Sequence, residues 1–258
     1  MRRVVILIAC GLQREAKIVE GAGIIPVIGG GDSAGLEQNL ENHIELFPPV
    51  GLIISSGIAG ALDPALVAGD VVIDMKPLPF RSSAAVLSPG QDERRQNWVE
   101  VGAVPKRVGL DETEGPHPNP SPEGEGLIAA LPHAHFGLII GQDHIAVTIA
   151  EKATLAATGA LAVDMETHIA ARVAARHGLP FMAIRTISDT AHETLPPAAL
   201  VGMNPDGSMA LGRVLVSLAR RPGQLPALIR TGKSAEAAFK SLAEVHRTLA
   251  PLWPALLA

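Results

Sequence analysis

A chain of 258 residues can bury about three quarters of its unfolded surface, enough for a substantial core. Its composition, 47% hydrophobic and 18% charged, excludes a disordered chain. The net charge is −5, aromatic residues make up 3% and Tyr is missing, so the chain has neither the cationic stripe nor the ring platforms of a nucleic-acid binder.

Arg3–Cys10 reads as a first strand, apolar as expected when both faces of a parallel sheet are covered. It is too short to span a membrane, and no small-residue cleavage site follows it. Cys10 is the single cysteine, which leaves no internal disulfide and no cysteine-based zinc site, fits a reducing cytoplasm, and reads as a core residue. Gln13–Glu20 is a short helix. Ile24–Ile28 is a second strand ending in Gly29, Gly30 and Gly31, after which Asp32 or Ser33 caps a helix running towards Leu46. Leu52–Ser55 is a third strand, followed by the tight sequence Gly57-Ile58-Ala59-Gly60. Asp63-Pro64 marks a turn, and Asp70–Asp74 resumes a strand.

Residues 82–108 show no clear pattern. Residues 111–126, rich in Pro, Gly and acids, read as an exposed insertion within a single domain spanning residues 1–258, with His117 a spacer inside it. Beyond it come a strand over Phe136–Ile140, a helix over Ala146–Ala157, a strand over Ala160–Val163 and a helix over Glu166–His177, closed by Gly178 and Pro180. Phe181–Ile187 is a further strand. The tail from Ser208 is mostly helical, with breaks at Arg221-Pro222-Gly223 and Thr231-Gly232. This alternation predicts an α/β sandwich around a twisted, mostly parallel or mixed sheet.

Three carboxylates sit at the edges of apolar elements: Glu15 after the first strand, Glu166 at the opening of a helix and Asp189 at the end of a strand. Ligands collect at the carboxyl ends of strands in an open α/β sheet, so the three can converge on one pocket. Each also has a plain reading: a solvated helix residue for Glu15, a favourable charge at a helix N-terminus for Glu166, a helix cap for Asp189. Glycosidic cleavage gives them a joint purpose. Asp189 would protonate or hydrogen-bond a departing purine, Glu166 would bind ribose hydroxyls and stabilise an oxocarbenium-like sugar, and Glu15 would activate a water. A phosphate nucleophile would instead need anion-binding groups, and the Gly29–Ser33 loop can offer backbone N–H groups or be a structural turn only. His144 can cover a base face or lie on the surface. Arg213, Arg220, Arg221 and Arg230 form a basic patch, read as a solvated helix face or as a contact for an anionic membrane surface.

Ser56-Gly57-Ile58-Ala59-Gly60-Ala61-Leu62 with Gly69-Asp70-Val71-Val72, the segment Val163-Asp164-Met165-Glu166, and Arg185-Thr186-Ile187-Ser188-Asp189 resemble the signature segments of nucleoside phosphorylases and methylthioadenosine/adenosylhomocysteine nucleosidases. The resemblance implies a three-layer α/β/α sandwich around a central mixed sheet, usually oligomeric, without a metal. It implies that Met165 packs on the ribose, Glu166 binds its hydroxyls, and Asp189 acts on the purine with Ser188 and Arg185 in support. His144 and Ile145 would line the substrate, and Gly29, Gly30, Gly31, Ser55 and Gly57 the nucleophile side. No cofactor is expected, with inorganic phosphate as a candidate co-substrate. Four further stretches, among them Thr158–Glu166 and Arg220–Pro226, resemble hopanoid-associated phosphorylases, which implies release of adenine from adenosylhopane by a cytoplasmic enzyme at the periphery of the inner membrane. Where phosphorylases place Arg and Ser for phosphate, this chain has Ser55 and Ile58, so water and phosphate both stay open. A methylthioadenosine, adenosylhomocysteine or futalosine nucleosidase and a non-catalytic nucleoside-binding protein are the alternatives.

Overall fold

The computed structural model describes residues 4–47, 49–75, 126 and 129–253. The insertion expected at 111–126, except Gly126, and the unassigned stretch at 82–108 lie outside the described residues.

In chain order the elements are β1 (Val5–Cys10), α1 (Gln13–Val19), β2 (Ile24–Ile28), α2 (Ser33–Leu46), β3 (Val50–Ala61), β4 (Val71–Met75), β5 (His135–Phe136), β6 (Ile139–Gly141), α3 (Ile149–Ala156), β7 (Ala162–Asp164), α4 (Thr167–Arg176), β8 (Phe181–Asp189), α5 (Pro197–Leu200), α6 (Leu211–Arg220), a 3-10 turn (Pro222–Gln224) and α7 (Leu225–Leu249). The main sheet runs β2-β1-β3-β8-β4-β5, with β7 joining the end of β3 and β6 pairing with β7. β2, β1, β3 and β8 are parallel, whereas β4 runs against β8 and β7 against β3, so the sheet is mixed as expected.

Two apolar clusters lie on opposite faces of the sheet. Leu7, Ile53 and Ala183 point to the side covered by α2 and α4, through Leu36, Leu40, Ile169 and Val173. Their neighbours Ile6, Ile8, Ile54 and Ile184 point to the other side, against Val245, Leu249 and Trp253 at the end of the chain. This alternation on strands apolar on both faces is what a sheet sandwiched between helices demands.

The structure departs from the expected elements at three places. The strand expected over Leu52–Ser55 continues without a turn to Ala61, through Gly57-Ile58-Ala59-Gly60. The strand expected over Phe136–Ile140 is two short ones, separated at Gly137, whose missing side chain admits Leu161. No break occurs at Thr231-Gly232, because the helix gains more from burying Ala238, Phe239, Leu242 and Val245 than one mid-helix Gly costs. The break at Pro222 is present.

One buried polar pair sits in the second cluster. His246 Nε2 lies 2.7 Å from Ser56 Oγ, and burial pulls the imidazole pKa down to about 4. The unfolded imidazole titrates near 6.5. Between those values the unfolded chain takes up a proton that the folded chain refuses, so the stability present above 6.5 is lost as pH falls towards 4. The loss is expected to reach about 3 kcal/mol at full effect. His246→Gln keeps a hydrogen-bonding nitrogen without titrating, and should flatten the pH dependence of the urea midpoint. Equal slopes in both proteins would remove His246 as its source.

Candidate active site

The carboxyl ends of the parallel neighbours β1, β3 and β8 lie side by side, and Asp164 at the end of the antiparallel β7 reaches the same region. Ser55 of β3, Asp164 and Glu166 at and after β7, Arg185 and Asp189 of β8 and Glu15 of α1 supply the polar side chains, and Gly57 and Gly60 in β3 and Gly11 after β1 leave room for them.

Glu15 opens α1, yet it is 2% exposed, so the plain reading as a solvated helix residue does not hold. Its Oε2 accepts from the amides of Gly11 and Leu12, and its Oε1 from the amide of Ile58, each at 2.8 Å. Burial raises its pKa, opposed by the Arg185 guanidinium and those three amides. Glu166 immediately precedes α4 but makes no capping hydrogen bond of its own. That task falls to Asp164, whose Oδ1 accepts from the amides of Glu166 and Thr167 at 2.9 and 2.8 Å. Glu166 is thereby free to face Gly11, where a side chain would stand 2.6 Å from its Oε1.

Arg185, fully buried on β8, ties the group together. Its Nε lies 2.6 Å from Asp164 Oδ2 and its Nη2 3.4 Å from Glu166 Oε2, and Nη2 also donates to Ser55 Oγ. Three carboxylates and one guanidinium share this dry volume. Burial pushes Glu166 up to about 8, with Asp164 and Glu15 adding to the rise and Arg185 opposing it. Burial disfavours the Arg185 charge as well, but Asp164, Glu166 and Glu15 outweigh it and hold the guanidinium protonated.

Gly57 pairs with Arg185 across β3 and β8. A Cβ there would stand 2.5 Å from Glu15 Oε1 and 2.7 Å from Arg185 Nη1. Nη1 is buried and has no hydrogen-bond partner among the described side chains. A carboxylate oxygen and an N–H donor without a hydrogen-bond partner thus crowd Gly57, in space that any side chain would take. Gly57→Ala is expected to lower kcat/KM more than tenfold and to cost about 1–3 kcal/mol of stability, since both neighbours are pinned and the added methyl would have to displace them. Wild-type turnover in that variant would show that the placement of Glu15 and Arg185 over Gly57 is not used.

Asp189 closes β8 as a strand residue and is not a helix cap. It lies beside Gly60, whose added Cβ would be 3.1 Å from Asp189 Oδ2. Gly57 and Gly60 are three residues apart on β3, with a register shift against β8 between Ala59 and Gly60. Ser188 Oγ donates to Asp189 Oδ1 at 2.8 Å. Lys152 of α3, entirely buried, forms an ion pair with Asp189 Oδ2 and donates to the carbonyls of Thr190 and Glu193 at 2.7 and 3.1 Å. Sequence reasoning missed Lys152 and Asp164. A lone Lys in the short apolar stretch of α3 was the available signal for the first, and the Asp-x-x-Thr cap before α4 for the second.

The remaining expected residues are placed less uniformly. Met165 Cε lies near Gly31, as does Met203 Cε, at 3.6 and 2.9 Å from where a Gly31 Cβ would be. Gly30 has φ +59, and any Cβ on it would meet the Pro205 carbonyl at 1.9 Å. The loop holding Met203 and Pro205, closed by a bridge between Met203 and Met209, therefore packs directly on this turn. The Gly29 and Gly30 amides donate to the carbonyls of Cys10 and Gly11, and Asp32 caps α2 through the Gly35 amide. Those two amides are thus not free for an anion, which corrects the expected cradle in that part. His144 is 71% exposed and pairs with Glu151, while Ile145 is half-buried. Among the described residues no group of three or more His, Cys, Asp or Glu side chains is arranged to hold a metal.

A family model described as the phosphorylase superfamily matches residues 39–220, more than half of the chain. The chain belongs to the phosphorylase superfamily. It is an enzyme of the type that cleaves N-glycosidic bonds. No curated protein matches it in sequence. Similar solved structures include the S-adenosylhomocysteine nucleosidase of Streptococcus pyogenes with 5-methylthiotubericidin, at 18% identity, 97% of each chain covered and TM-score 0.57. The Neisseria meningitidis 5′-methylthioadenosine/S-adenosylhomocysteine nucleosidase with methylthio-immucillin-A is 18% identical, over 93% of this chain and 97% of that one, at TM-score 0.54. A Helicobacter pylori nucleosidase variant with 5′-methylthioadenosine in its active site is also 18% identical, over 94% and 98%, at TM-score 0.53. At such identity the likeness is one of fold, and it supports the α/β sandwich of this superfamily member.

Proposed function

We propose that this phosphorylase-superfamily enzyme hydrolyses the N-glycosidic bond of a 5′-substituted adenosine and releases adenine. The observation that carries the reading is the pair that Glu15 Oε1 and the unpartnered Nη1 of Arg185 form over Gly57. A water held there by Arg185 as donor gives a proton to Glu15 as it adds to the anomeric carbon. The electron pair of the breaking bond goes to the purine, and Asp189 delivers a proton or a strong hydrogen bond to a purine ring nitrogen. Glu166, whose pKa of about 8 leaves it mostly protonated at neutral pH, hydrogen-bonds the ribose hydroxyls, and its ionised form stabilises the positive charge that grows on the sugar. Met165 packs on the ribose.

Water is favoured over phosphate on electrostatic grounds. Arg185 is already outnumbered by Glu15, Asp164 and Glu166, so a dianion would enter a volume without net positive charge. The engaged amides of Gly29 and Gly30 point the same way. The structures of the Streptococcus and Helicobacter proteins, which hold an adenosine analogue and 5′-methylthioadenosine, support an adenosine-type substrate. The stretches resembling hopanoid-associated phosphorylases favour an apolar lipid as the 5′ substituent, with adenosylhopane the preferred compound. No cofactor enters this chemistry.

The reading is tested by following adenine from adenosylhopane, 5′-methylthioadenosine and S-adenosylhomocysteine, each with and without inorganic phosphate. Adenine with a free-ribose product, fastest from the lipid, is the expected result. Ribose 1-phosphate formed only with phosphate would overturn hydrolysis, preference for a small thioether would overturn the lipid, and no adenine from any substrate with folded protein would end the reading.

A further inference from the structure

Residues 207–235 contain Arg213, Arg220, Arg221, Arg230 and Lys233 and no Asp or Glu, in a chain whose net charge is −5. The same segment holds α6, in which none of the ten residues is buried. Its apolar residues repeat at helical spacing, but that stripe is turned outward: Leu211 and Leu215 are 63% and 65% exposed. Met209 before the helix and Leu225 and Ile229 in the first turns of α7 are exposed as well. A helix of a soluble domain ordinarily buries its apolar face. Here the polar side of α6 lines a shallow groove against α5, where Arg213, Arg220 and Arg221 gather beside Pro197 and Val201. Arg220, Arg221 and Arg230 have no acidic partner among the described residues.

We infer that α6 and the first turns of α7 form a docking face for an anionic lipid bilayer. The leucines enter the boundary between headgroups and acyl chains, and the arginines lie at the level of the lipid phosphates, the arrangement of an interfacial amphipathic helix. No described helix is long and apolar enough to cross a membrane, so the contact is peripheral. Charge decides between a bilayer and a second copy of the chain. An isologous contact sets each patch against itself, and five cations would then face five cations with no acid in the segment to offset them. An anionic surface reverses that sign.

The docking face is also joined to the site. α6 follows directly on the Met203–Met209 loop, which packs against Gly30 and Gly31 beside Met165. The inference itself rests on the 207–235 segment and not on which nucleoside is cleaved.

Flotation of the purified full chain with vesicles of phosphatidylcholine alone, or in equal parts with phosphatidylglycerol, tests it. Binding is expected to the mixed vesicles only, and to fall as salt screens the arginines. Arg220→Glu/Arg221→Glu and Leu211→Glu/Leu215→Glu should each lower partitioning at least tenfold, while adenine release from soluble 5′-methylthioadenosine stays at the wild-type rate. Wild type that ignores anionic vesicles, or variants that bind as wild type does, would overturn the inference. So would concentration-dependent self-association in lipid-free buffer that the Leu pair abolishes. Loss of vesicle binding with adenine release intact removes only the docking face. Vesicle binding without adenine release from any nucleoside removes only the proposed reaction.

Discussion

Asp189→Asn is expected to lower kcat for adenine release by about a hundredfold or more, the scale of general-acid catalysis by a positioned side chain. The amide keeps the shape of the carboxyl group and leaves the Ser188 hydroxyl an acceptor at Oδ1. It has no acidic proton to give to a purine whose bond to the sugar is breaking. KM should change little, because the adenine ring meets an isosteric group before the bond breaks. A substrate whose departing base needs no proton separates the two roles: Asp189→Asn should handle a ribosyl compound with a good leaving group nearly as well as wild type. Equal loss on both substrates would mean that Asp189 organises the site without serving as its acid. Unchanged kcat on the nucleoside would remove it from the reaction altogether.

Most of the framework was legible because it follows from periodicity. The runs at Arg3–Cys10 and Phe181–Ile187 read as strands and are strands, and of the two candidate caps Asp32 and Ser33 it is Asp32 that caps α2. The reading failed where glycine serves packing instead of turning. Gly57 and Gly60 look like turn residues, yet both stay extended within β3, and their missing side chains make way for Glu15, Arg185 and Asp189. No local pattern reports that kind of glycine, because the groups that need the space lie far away in sequence, Glu15 in α1 and Arg185 and Asp189 in β8. Helix ends were misplaced for a related reason. Glu166 has the look of a first-turn acid, but the cap is made two residues earlier by Asp164, which is what releases Glu166 to face Gly11. Lys152 was invisible because a Lys in a short helix is normally solvated, and only the fold brings β8 against it.

Lys152→Met is expected to be the most destabilising of the substitutions considered, by about 3–5 kcal/mol, the usual cost of leaving one partner of a buried ion pair behind. Three acceptors lose their donor at once: Asp189 Oδ2 and the carbonyls of Thr190 and Glu193. Asp189→Asn is milder in stability, since Lys152 keeps both carbonyls and an amide oxygen. The two substitutions touch one network, so their effects should not add. In Lys152→Met/Asp189→Asn the stranded carboxylate is gone, and the double variant should regain roughly half of what Lys152→Met loses. Urea unfolding of the four proteins measures this directly. Additive losses would mean that Lys152 and Asp189 do not interact in the folded protein. A coupled loss, together with the turnover of Asp189→Asn, would show one buried pair whose lysine fixes the strand end and whose carboxyl group serves the departing base.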